Sequence, residues 1–262
     1  MNLKNKNQKA ILEFKNVKVK YHTPEKEILA IKNLTFDVYN EEFVTILGPS
    51  GSGKSTVLSI ISGLLPITDG EFNLNISDKN TTQKQNVGYM FQRDYLFDWR
   101  TIEQNVLLGL EIKKLLNDKT KNYAIELLKK YGLGDFLKSY PNELSGGMRQ
   151  KAALIRTLAV NPKILLLDEP FSALDFQTRI NLADEVRKII KNEHKTAVLV
   201  SHDISEAISI SDRIIVFSKR PSVVKKIFKI DFGNKKLTSH EKRNHKRFNE
   251  YFDSIWSEMS EV

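Results

Sequence analysis

One glycine-rich segment has residue types and spacing suited to phosphate chemistry. It reads Gly48-Pro49-Ser50-Gly51-Ser52-Gly53-Lys54-Ser55-Thr56 and fits the P-loop pattern G-x-x-x-x-G-K-[ST]. Its glycines let several backbone N–H groups turn inward and form a nest for phosphate oxygens. Lys54 would bring a positive charge to the β- and γ-phosphates, and Ser55 would offer its hydroxyl to Mg²⁺. The segment therefore predicts a nucleoside triphosphate site.

The neighbouring residues favour this interpretation over a flexible glycine- and serine-rich loop. An apolar run at 44–47 precedes the segment and predicts a strand, and residues 57–61 follow it with a helical pattern. A helix that begins near Gly53 points its positive N-terminal end at the bound phosphates.

Three further apolar runs end in side chains suited to phosphate chemistry. The runs are 87–91 before Gln92, 164–167 before Asp168 and Glu169, and 196–200 before Ser201 and His202. In an open α/β sheet, ligands bind at the carboxyl ends of the strands. If these strands and the strand at 44–47 are parallel neighbours, we expect all four sets of polar residues to meet at one edge.

The polar residues at these strand ends have distinct candidate roles. Asp168 follows an apolar strand, where P-loop proteins place the acid that reaches Mg²⁺. Glu169 could accept a proton from an attacking water, and His202 could hydrogen-bond that water or the γ-phosphate. Gln92 could coordinate Mg²⁺ or orient water. The alternatives are an acidic strand end that faces water and a histidine with a purely structural role.

The composition limits the class of protein. The 262 residues are enough for one large α/β domain, and 28% are charged, as in an ordinary globular protein. No apolar run approaches the roughly 18–20 residues that a membrane span needs. The first residues are polar and lack a signal-peptide core, so we expect a cytoplasmic protein. The absence of cysteine excludes disulfides and cysteine–zinc sites.

The excess of basic residues is concentrated near the end of the chain. The net charge is +9, and the segment 219–247 holds eleven Lys and Arg against Asp231 and Glu241. Such a surface can serve nucleic acid, an anionic membrane face or solubility alone. The charge by itself does not decide between them.

The remaining patterns predict the other elements. Strands are expected at 11–21, 28–38, 71–76, 213–217 and 223–230, a polar loop at 77–85, and helices at 124–133, 181–192, 204–210 and 240–258. Thr101 and Gln104 form a capping-box pattern at the start of a helical region that extends to about residue 139.

A second glycine motif identifies the family. The segment Leu144-Ser145-Gly146-Gly147-Met148-Arg149-Gln150 resembles the LSGGQ signature of ATP-binding-cassette (ABC) ATPases, with Met148 in place of the final glutamine. That substitution occurs in some branches, and we expect little loss from it. A serine hydroxyl, two glycine N–H groups and a helix N-terminus together make a second anion site.

The resemblance covers residues 11–230 in the family's order and implies roles for particular residues. Tyr21 looks like the aromatic residue that stacks on adenine. ATP would also contact the Walker A residues and three signature residues. These are Gly48, Pro49, Ser50, Gly51, Ser52, Gly53, Lys54, Ser55 and Thr56 of Walker A, and Ser145, Gly146 and Gly147 of the signature. Mg²⁺ would be bound by Ser55, Gln92 and Asp168. The catalytic groups would be Lys54, Gln92, Glu169 and His202, and because Glu169 and His202 are both present we expect an active ATPase.

The resemblance also implies the fold. We expect an α/β protein with a P-loop NTPase core and a mainly parallel sheet, an N-terminal antiparallel β-subdomain and an inserted helical sub-domain. The ABC ATPase domain would span 11–240, with its core at about 11–96 and 161–235 and the helical sub-domain at about 97–160. Residues 240–262 would form a C-terminal helical tail.

The partners follow from the same resemblance. In this family the signature faces the nucleotide of the other subunit, so we expect a homodimer that sandwiches two ATP molecules. An integral-membrane permease would contact residues 92–100 and the helical sub-domain, and an extracytoplasmic solute-binding protein would deliver the cargo. The chain would lie at the cytoplasmic face of the membrane, with no nucleic acid bound.

A finer resemblance concerns the branch of the family. Residues 97–101, 171–179 and 218–221 are similar to those of the nitrate, sulfonate and taurine importer ATPases, a branch that includes importers of thiamine-precursor pyrimidines. Asp98 replaces the proline that is usual after the glutamine loop. The ATPase never touches the cargo, so the sequence does not name the solute.

Three other interpretations compete with this one. The first is a non-transport ABC ATPase that acts on nucleic acid or on another macromolecular complex. The second is another type of P-loop protein, and the third is a non-catalytic partner subunit. Chromosome and repair ATPases insert a long coiled coil before the signature, and here fewer than ninety residues separate Thr56 from Leu144. A GTPase needs an Asn-Lys-x-Asp motif, which is absent. A non-catalytic partner would have lost Lys54, Glu169 or His202.

Overall fold

The computed structural model describes residues 9–22, 24–76, 86–234 and 237–260. The polar loop predicted at 77–85 and the polar first residues of the chain lie outside the described residues. Within the described ranges, no helix is both long and apolar enough to cross a bilayer.

Nine strands of the described part of the chain form one sheet. They are β1 (Ala10–His22), β2 (Glu27–Tyr39), β3 (Phe43–Leu47), β4 (Asp69–Leu74), β5 (Val87–Met90), β6 (Ile164–Asp168), β7 (Thr196–Val200), β8 (Arg213–Phe217) and β9 (Ser222–Lys229). Their order in the sheet is β4-β1-β2-β9-β8-β3-β7-β6-β5. The strand predicted at 71–76 begins and ends two residues earlier.

The centre of the sheet is parallel. β7 pairs in parallel with β3 on one side and with β6 on the other, and β6 pairs in parallel with β5. Val200 is level with both Ile46 and Asp168, so the three strands end at the same height. The predicted meeting of the four strand ends at one edge is confirmed.

The N-terminal strands extend the same sheet in antiparallel fashion. β1 pairs antiparallel with β2 and with β4, as the alternating pattern of residues 11–21 predicts for a half-buried strand. β2 then meets β9 in parallel at Ile31 and Ser222, and β9 is antiparallel to β8. The predicted antiparallel part is therefore continuous with the parallel core.

Eight α-helices lie in the described ranges. They are α1 (Lys54–Ile61), α2 (Ile102–Ile112), α3 (Asp118–Lys130), α4 (Gly146–Ala159), α5 (Phe176–Asn192), α6 (Ile204–Ile210), α7 (Ser239–Arg243) and α8 (Lys246–Ser260). The capping box of Thr101 and Gln104 is present at the start of α2.

Three predicted helix boundaries were wrong, and side-chain caps explain two of them. α3 begins at 118 because Asn117 caps it, and α5 begins at 176 because the Asp175 side chain accepts from the Thr178 N–H. The single tail helix predicted at 240–258 is two helices, since α7 ends at Arg243 with Asn244 as its C-cap and α8 starts at Lys246.

The sheet is covered on both faces, which explains its continuous apolar strands. Leu165 and Leu167 of β6 pack in a core with α2 to α5, and Ile164 and Leu166 pack in a second core with α1 and the N-terminal strands. A third core joins α6 and α8 to β8. The helices of residues 97–160 thus share apolar packing with the sheet, and the division of the chain into core, helical sub-domain and tail stays a prediction.

Candidate active site

The P-loop connects β3 to α1 in the conformation that its glycines allow. Gly51 and Gly53 have φ of 74° and 80°, values that side chains with a Cβ rarely adopt. A Cβ at position 48 would lie 2.8 Å from Ser52 Oγ. The N-terminus of α1 has no side-chain cap, so its first N–H groups are available to an anion.

Lys54 lies at the floor of this loop. Its Nζ donates to the carbonyl oxygens of Gly48 at 2.8 Å and Pro49 at 3.0 Å. Burial lowers the pKa of the Lys54 ammonium, and the carboxylates of Glu169 and Asp168 act against that shift. The ammonium is therefore held beside the loop on which phosphates would bind.

A cavity of about 510 Å³ opens above the P-loop. It brings together residues from six parts of the chain: Tyr21, Ala30, Ser50, Gly51, Ser52, Gly53, Lys54, Ser55, Thr56, Glu169, His202 and Arg220. Tyr21 is 38% exposed, and its hydroxyl lies 3.0 Å from Thr56 Oγ1. Most of the residues predicted to contact a nucleotide thus line one cavity.

Glu169 and His202 face each other in this cavity. The Nδ1 atom of His202 lies 3.0 Å from Glu169 Oε2. Glu169 has φ of 46°, and its N–H donates to the Val200 carbonyl at 3.0 Å. This backbone conformation, at the end of β6, directs the side chain toward the end of β7.

Asp168 has a different environment from its neighbour. Tyr89 donates its hydroxyl to Asp168 Oδ2 at 2.9 Å. Burial raises the pKa of the Asp168 carboxyl, while hydrogen bonds from Tyr89 and Ser55 lower it. A hydroxyl and a carboxylate side by side suit Mg²⁺, which takes one or two protein oxygens and completes its shell with water and phosphate. In the described part of the chain, no cluster of three or more His, Cys, Asp or Glu residues could hold a metal.

Gln92 does not line the cavity. Its Nε2 donates to Ser172 Oγ at 3.0 Å, and its carbonyl accepts from Gln150 Nε2 at 3.1 Å. Ser172 Oγ in turn donates to the Glu169 carbonyl at 2.9 Å. The structure therefore connects Gln92 to Glu169 through one serine, and its predicted contact with Mg²⁺ stays a prediction.

The signature segment is also separate from the cavity. Ser145 caps α4 by accepting from the Met148 N–H at 3.3 Å. A Cβ at Gly146 or Gly147 would lie 3.1 Å from Leu174 and Thr178 respectively. The signature thus packs against residues 174–178, and none of its residues is among those that line the cavity above the P-loop.

Arg220 also belongs to the candidate site, although no sequence pattern predicted it there. It lies in the connection between β8 and β9, and its side chain lines the cavity. β8 is the parallel neighbour of β3, so the rule that ligands bind at carboxyl ends of strands would have found it. Position 53 is close to the same connection, since a Cβ there would lie 3.2 Å from Ser222 Oγ.

The fold and the site together define the class. A P-loop between a buried strand and a helix, with an acid pair and a histidine at the ends of adjacent parallel strands, is the architecture of a P-loop NTPase. The family model described as ABC transporter matches residues 31–172 of this chain. The chain therefore belongs to the ABC transporter family, as an ATP-binding subunit and an ATPase.

Relatives among known proteins agree with this assignment. The chain is 47% identical over 243 residues to the ABC transporter ATP-binding protein YtlC of Bacillus subtilis, a match that covers 92% of this chain and 93% of that protein. It is 41% identical over 204 residues to the aliphatic sulfonates import ATP-binding protein SsuB of Bacillus cereus, covering 76% of this chain and 78% of that one.

Solved structures show the same fold. A dimeric structure of the ATP-binding cassette MJ0796 in a post-hydrolysis state, bound to ADP and Pi, superposes with a TM-score of 0.69 at 36% identity. The match covers 84% of this chain and 99% of that chain. The predicted ABC ATPase fold is confirmed.

Proposed function

We propose that this chain is the ATP-hydrolysing subunit of an ABC import system that moves a small solute through a separate membrane permease. The observation that carries the proposal is the contact of Glu169 with His202 in the cavity above the P-loop. The similarity to an aliphatic sulfonates import protein supports the direction of transport and a nitrate, sulfonate or taurine type of solute. A thiamine-precursor type of solute is the second possibility within the same branch.

In the proposed reaction, ATP binds with its adenine on Tyr21 and its phosphates on the N–H groups from Gly48 to Thr56. Glu169 accepts a proton from a water molecule as the water oxygen attacks the γ-phosphorus in line. The bond from the γ-phosphorus to the bridging oxygen breaks, and that oxygen leaves with ADP. His202 orients Glu169 through Nδ1 and presents Nε2 to the γ-phosphate, while Lys54 neutralises the phosphate charge.

We propose Ser55 and Asp168 as protein ligands of Mg²⁺, since their oxygens are already hydrogen-bonded neighbours. Gln92 would join them through its Oε1 atom, since its Nε2 donates to Ser172 Oγ. When bound, Mg²⁺ neutralises part of the charge on the β- and γ-phosphates.

The proposed assembly is a homodimer. Ser145, Gly146 and Gly147 lie away from the cavity of their own subunit, so they are free to complete the site of a second copy. The relatives of known structure include dimers, one of them with ADP and Pi. Each ATP would then lie between the P-loop of one subunit and the signature of the other.

The proposed permease contact is a group of exposed aromatic side chains next to Gln92. Phe91, Tyr95 and Trp99 are 47%, 60% and 74% exposed, although aromatic residues of this size are usually buried. Exposed aromatic groups of this kind mark protein interfaces. A permease bound here would place the chain at the cytoplasmic face of the membrane, and a solute-binding protein would act on the far side.

The basic C-terminal segment does not favour nucleic acid as the partner. Lys242 is buried and donates to the Ser209 carbonyl, and Arg247 donates to the Asp231 carbonyl. Lys225 and Lys226 pair with Glu258 of α8. Several of these cations therefore hold the tail against the core.

The experiment that tests the import function is deletion of the gene in its host. Uptake of radiolabelled taurine, an alkanesulfonate, nitrate and a thiamine-precursor pyrimidine would be measured with and without the wild-type chain. Loss of uptake of one solute, restored by the wild type, is expected. Normal uptake of every solute, together with co-purification of nucleic acid with the chain, would contradict the proposal and support the non-transport alternative.

A further inference from the structure

Arg179, in the first turn of α5, joins two connections at the candidate site. Its Nη2 donates to the Leu174 carbonyl at 3.1 Å, and its Nη1 lies 3.6 Å from Asp203 Oδ2. Leu174 belongs to the 172–175 turn that follows β6, and Asp203 is the residue after His202. One guanidinium therefore contacts the connections that carry Glu169 and His202. The planar fork of arginine suits such a double contact.

Asp203 holds the backbone around His202. Its Oδ1 accepts from the Glu206 N–H at 2.9 Å and so caps α6, and its own N–H donates to Ser201 Oγ at 3.1 Å. The His202 side chain is 60% exposed, and within the described residues its one hydrogen bond is to Glu169. The position of the ring therefore depends on the backbone that Asp203 fixes.

The residues on the other side of Arg179 contact the signature segment. Leu174, whose carbonyl Arg179 binds, packs against Gly146, and Thr178 packs against Gly147. Arg179 thus lies between the segment that would meet a second nucleotide and the histidine of its own site. These contacts are continuous, from Gly146 through Leu174 and Arg179 to Asp203.

Two buried side-chain atoms next to Asp203 lack a hydrogen-bond partner among the described residues. They are Nε of Arg179 and Oε1 of Glu206, the residue whose N–H Asp203 caps. An unpaired buried polar atom has lost its hydrogen bonds to water without replacement, so natural structures keep few of them. Arg179 attracts the Glu206 carboxyl electrostatically, although Glu206 is not its ion-pair partner.

We propose that Arg179 is a positioning residue of the ATPase reaction. By binding both Asp203 and the 172–175 turn, its guanidinium fixes the position of His202 relative to Glu169. This inference rests on the proposed function, because it assumes that Glu169 and His202 act on ATP. Arg179 is not among the residues that line the cavity above the P-loop, so it would touch neither ATP nor the attacking water. It acts by fixing the group that orients Glu169.

The test compares five purified variants with the wild type, four single variants and the double variant Arg179→Gln/Asp203→Asn. Arg179→Gln removes the charge and the fork, Arg179→Lys keeps the charge alone, and Asp203→Asn keeps the helix cap but removes the charge. Arg187→Gln is the matched control, since Arg187 is also on α5 but lies about two turns further along the helix. Its Nη2 donates to Asp212 Oδ1 at 2.9 Å. For each variant, kcat, KM for ATP, the ATP dissociation constant and the melting temperature would be measured.

We expect Arg179→Gln and Asp203→Asn to lower kcat about tenfold with the ATP dissociation constant within about twofold, because positioning is lost and binding is not. Arg179→Lys should recover part of kcat. Arg187→Gln should keep kcat within about twofold even if the melting temperature falls. The double variant should lose little more than either single variant, since both act through one contact.

Two outcomes would overturn the inference. One is a kcat within about twofold of the wild type for Arg179→Gln. The other is a loss of kcat in Arg187→Gln equal to that in Arg179→Gln, which would show that general loss of stability is the cause. Absence of ATP turnover in the wild type would instead contradict the proposed function. The two failures are therefore distinguishable.

Discussion

His202 Nδ1 and Glu169 Oε2 lie 3.0 Å apart, although the two residues are separated by 33 positions in the chain. The contact crosses from the end of β7 to the end of β6, which are parallel neighbours. A neutral histidine that donates from Nδ1 leaves Nε2 free to face the cavity. The acid and its orienting group thus lie beside each other at the ends of adjacent strands.

Glu169→Gln should abolish steady-state ATP hydrolysis. The amide keeps the shape of the side chain but cannot accept a proton, so kcat should fall about 100-fold or more. ATP binding should persist and trap an ATP-bound dimer, visible by size-exclusion chromatography with ATP. Turnover near that of the wild type would remove Glu169 from the role of general base.

Tyr21→Ala should weaken ATP binding by the roughly 1–3 kcal/mol that is typical of stacking between a base and an aromatic ring. Tyr21→Phe is the control, because it keeps the ring and loses only the hydrogen bond to Thr56 at 3.0 Å. Equilibrium binding of a fluorescent ATP analogue and competition with ATP would measure both. If alanine and phenylalanine give the same affinity, the ring does not stack on the base.

Trp99→Ala should uncouple transport from hydrolysis. The indole is 74% exposed and stacks on Phe97 with ring centroids 4.8 Å apart, so its removal leaves the core intact. We expect the ATPase rate of the isolated chain to stay within about twofold and solute uptake to fall about tenfold, the loss typical of an interface residue. Trp256→Ala, at the other exposed tryptophan of the chain, is the control for uptake.

Gly70→Ala should destabilise the fold far more than Gly132→Ala. Both glycines have positive φ, 87° and 77°, which costs alanine about 1 kcal/mol or more. A Cβ at 70 would also collide with the backbone carbonyl of Asn16 in β1, whereas a Cβ at 132 meets nothing within 4 Å. We expect a loss of unfolding free energy above about 2 kcal/mol for Gly70→Ala alone. Urea unfolding curves would show the difference.

Glu206→Gln should increase stability at alkaline pH. Burial, and next the charge of Asp203, raise the pKa of the Glu206 carboxyl to about 8 from its ordinary value of 4.5, with Arg179 and Ser201 acting against the shift. The folded state therefore holds this proton more tightly than the unfolded state. The contribution to stability is complete below pH 4.5 and is lost as pH rises through about 8.

The measurement is the unfolding free energy of wild type and Glu206→Gln at pH 5 and pH 9. The wild type should lose on the order of 1 kcal/mol per pH unit relative to the variant across part of this range. Glu250→Gln, an exposed carboxyl of α8, is the control and should follow the wild type. Parallel curves for Glu206→Gln and wild type would show that Glu206 is ionised in the folded protein.

Local patterns were sufficient for much of the molecule. The P-loop was readable because its glycines, lysine and serine act through contiguous backbone, and Asp168 and Glu169 were readable because they end an apolar strand. The start of α5 was misplaced because its signal is a single capping aspartate, Asp175, followed by residues without a clear apolar period. Arg220 was missed because residues 218–221 indicate only a branch of the family, and the pairing of β8 with β3 is what brings their connection to the cavity.

The sequence by itself determined which residues could perform phosphate chemistry and that buried strands precede them. Only the tertiary structure decided that β3, β7, β6 and β5 are adjacent, that Glu169 faces His202, and that the signature packs away from the cavity. The physical reason is that parallel strand pairing and side-chain contacts across strand ends are long-range interactions. Apolar periodicity fixes which face of a strand is buried, but it does not specify which strand lies beside it.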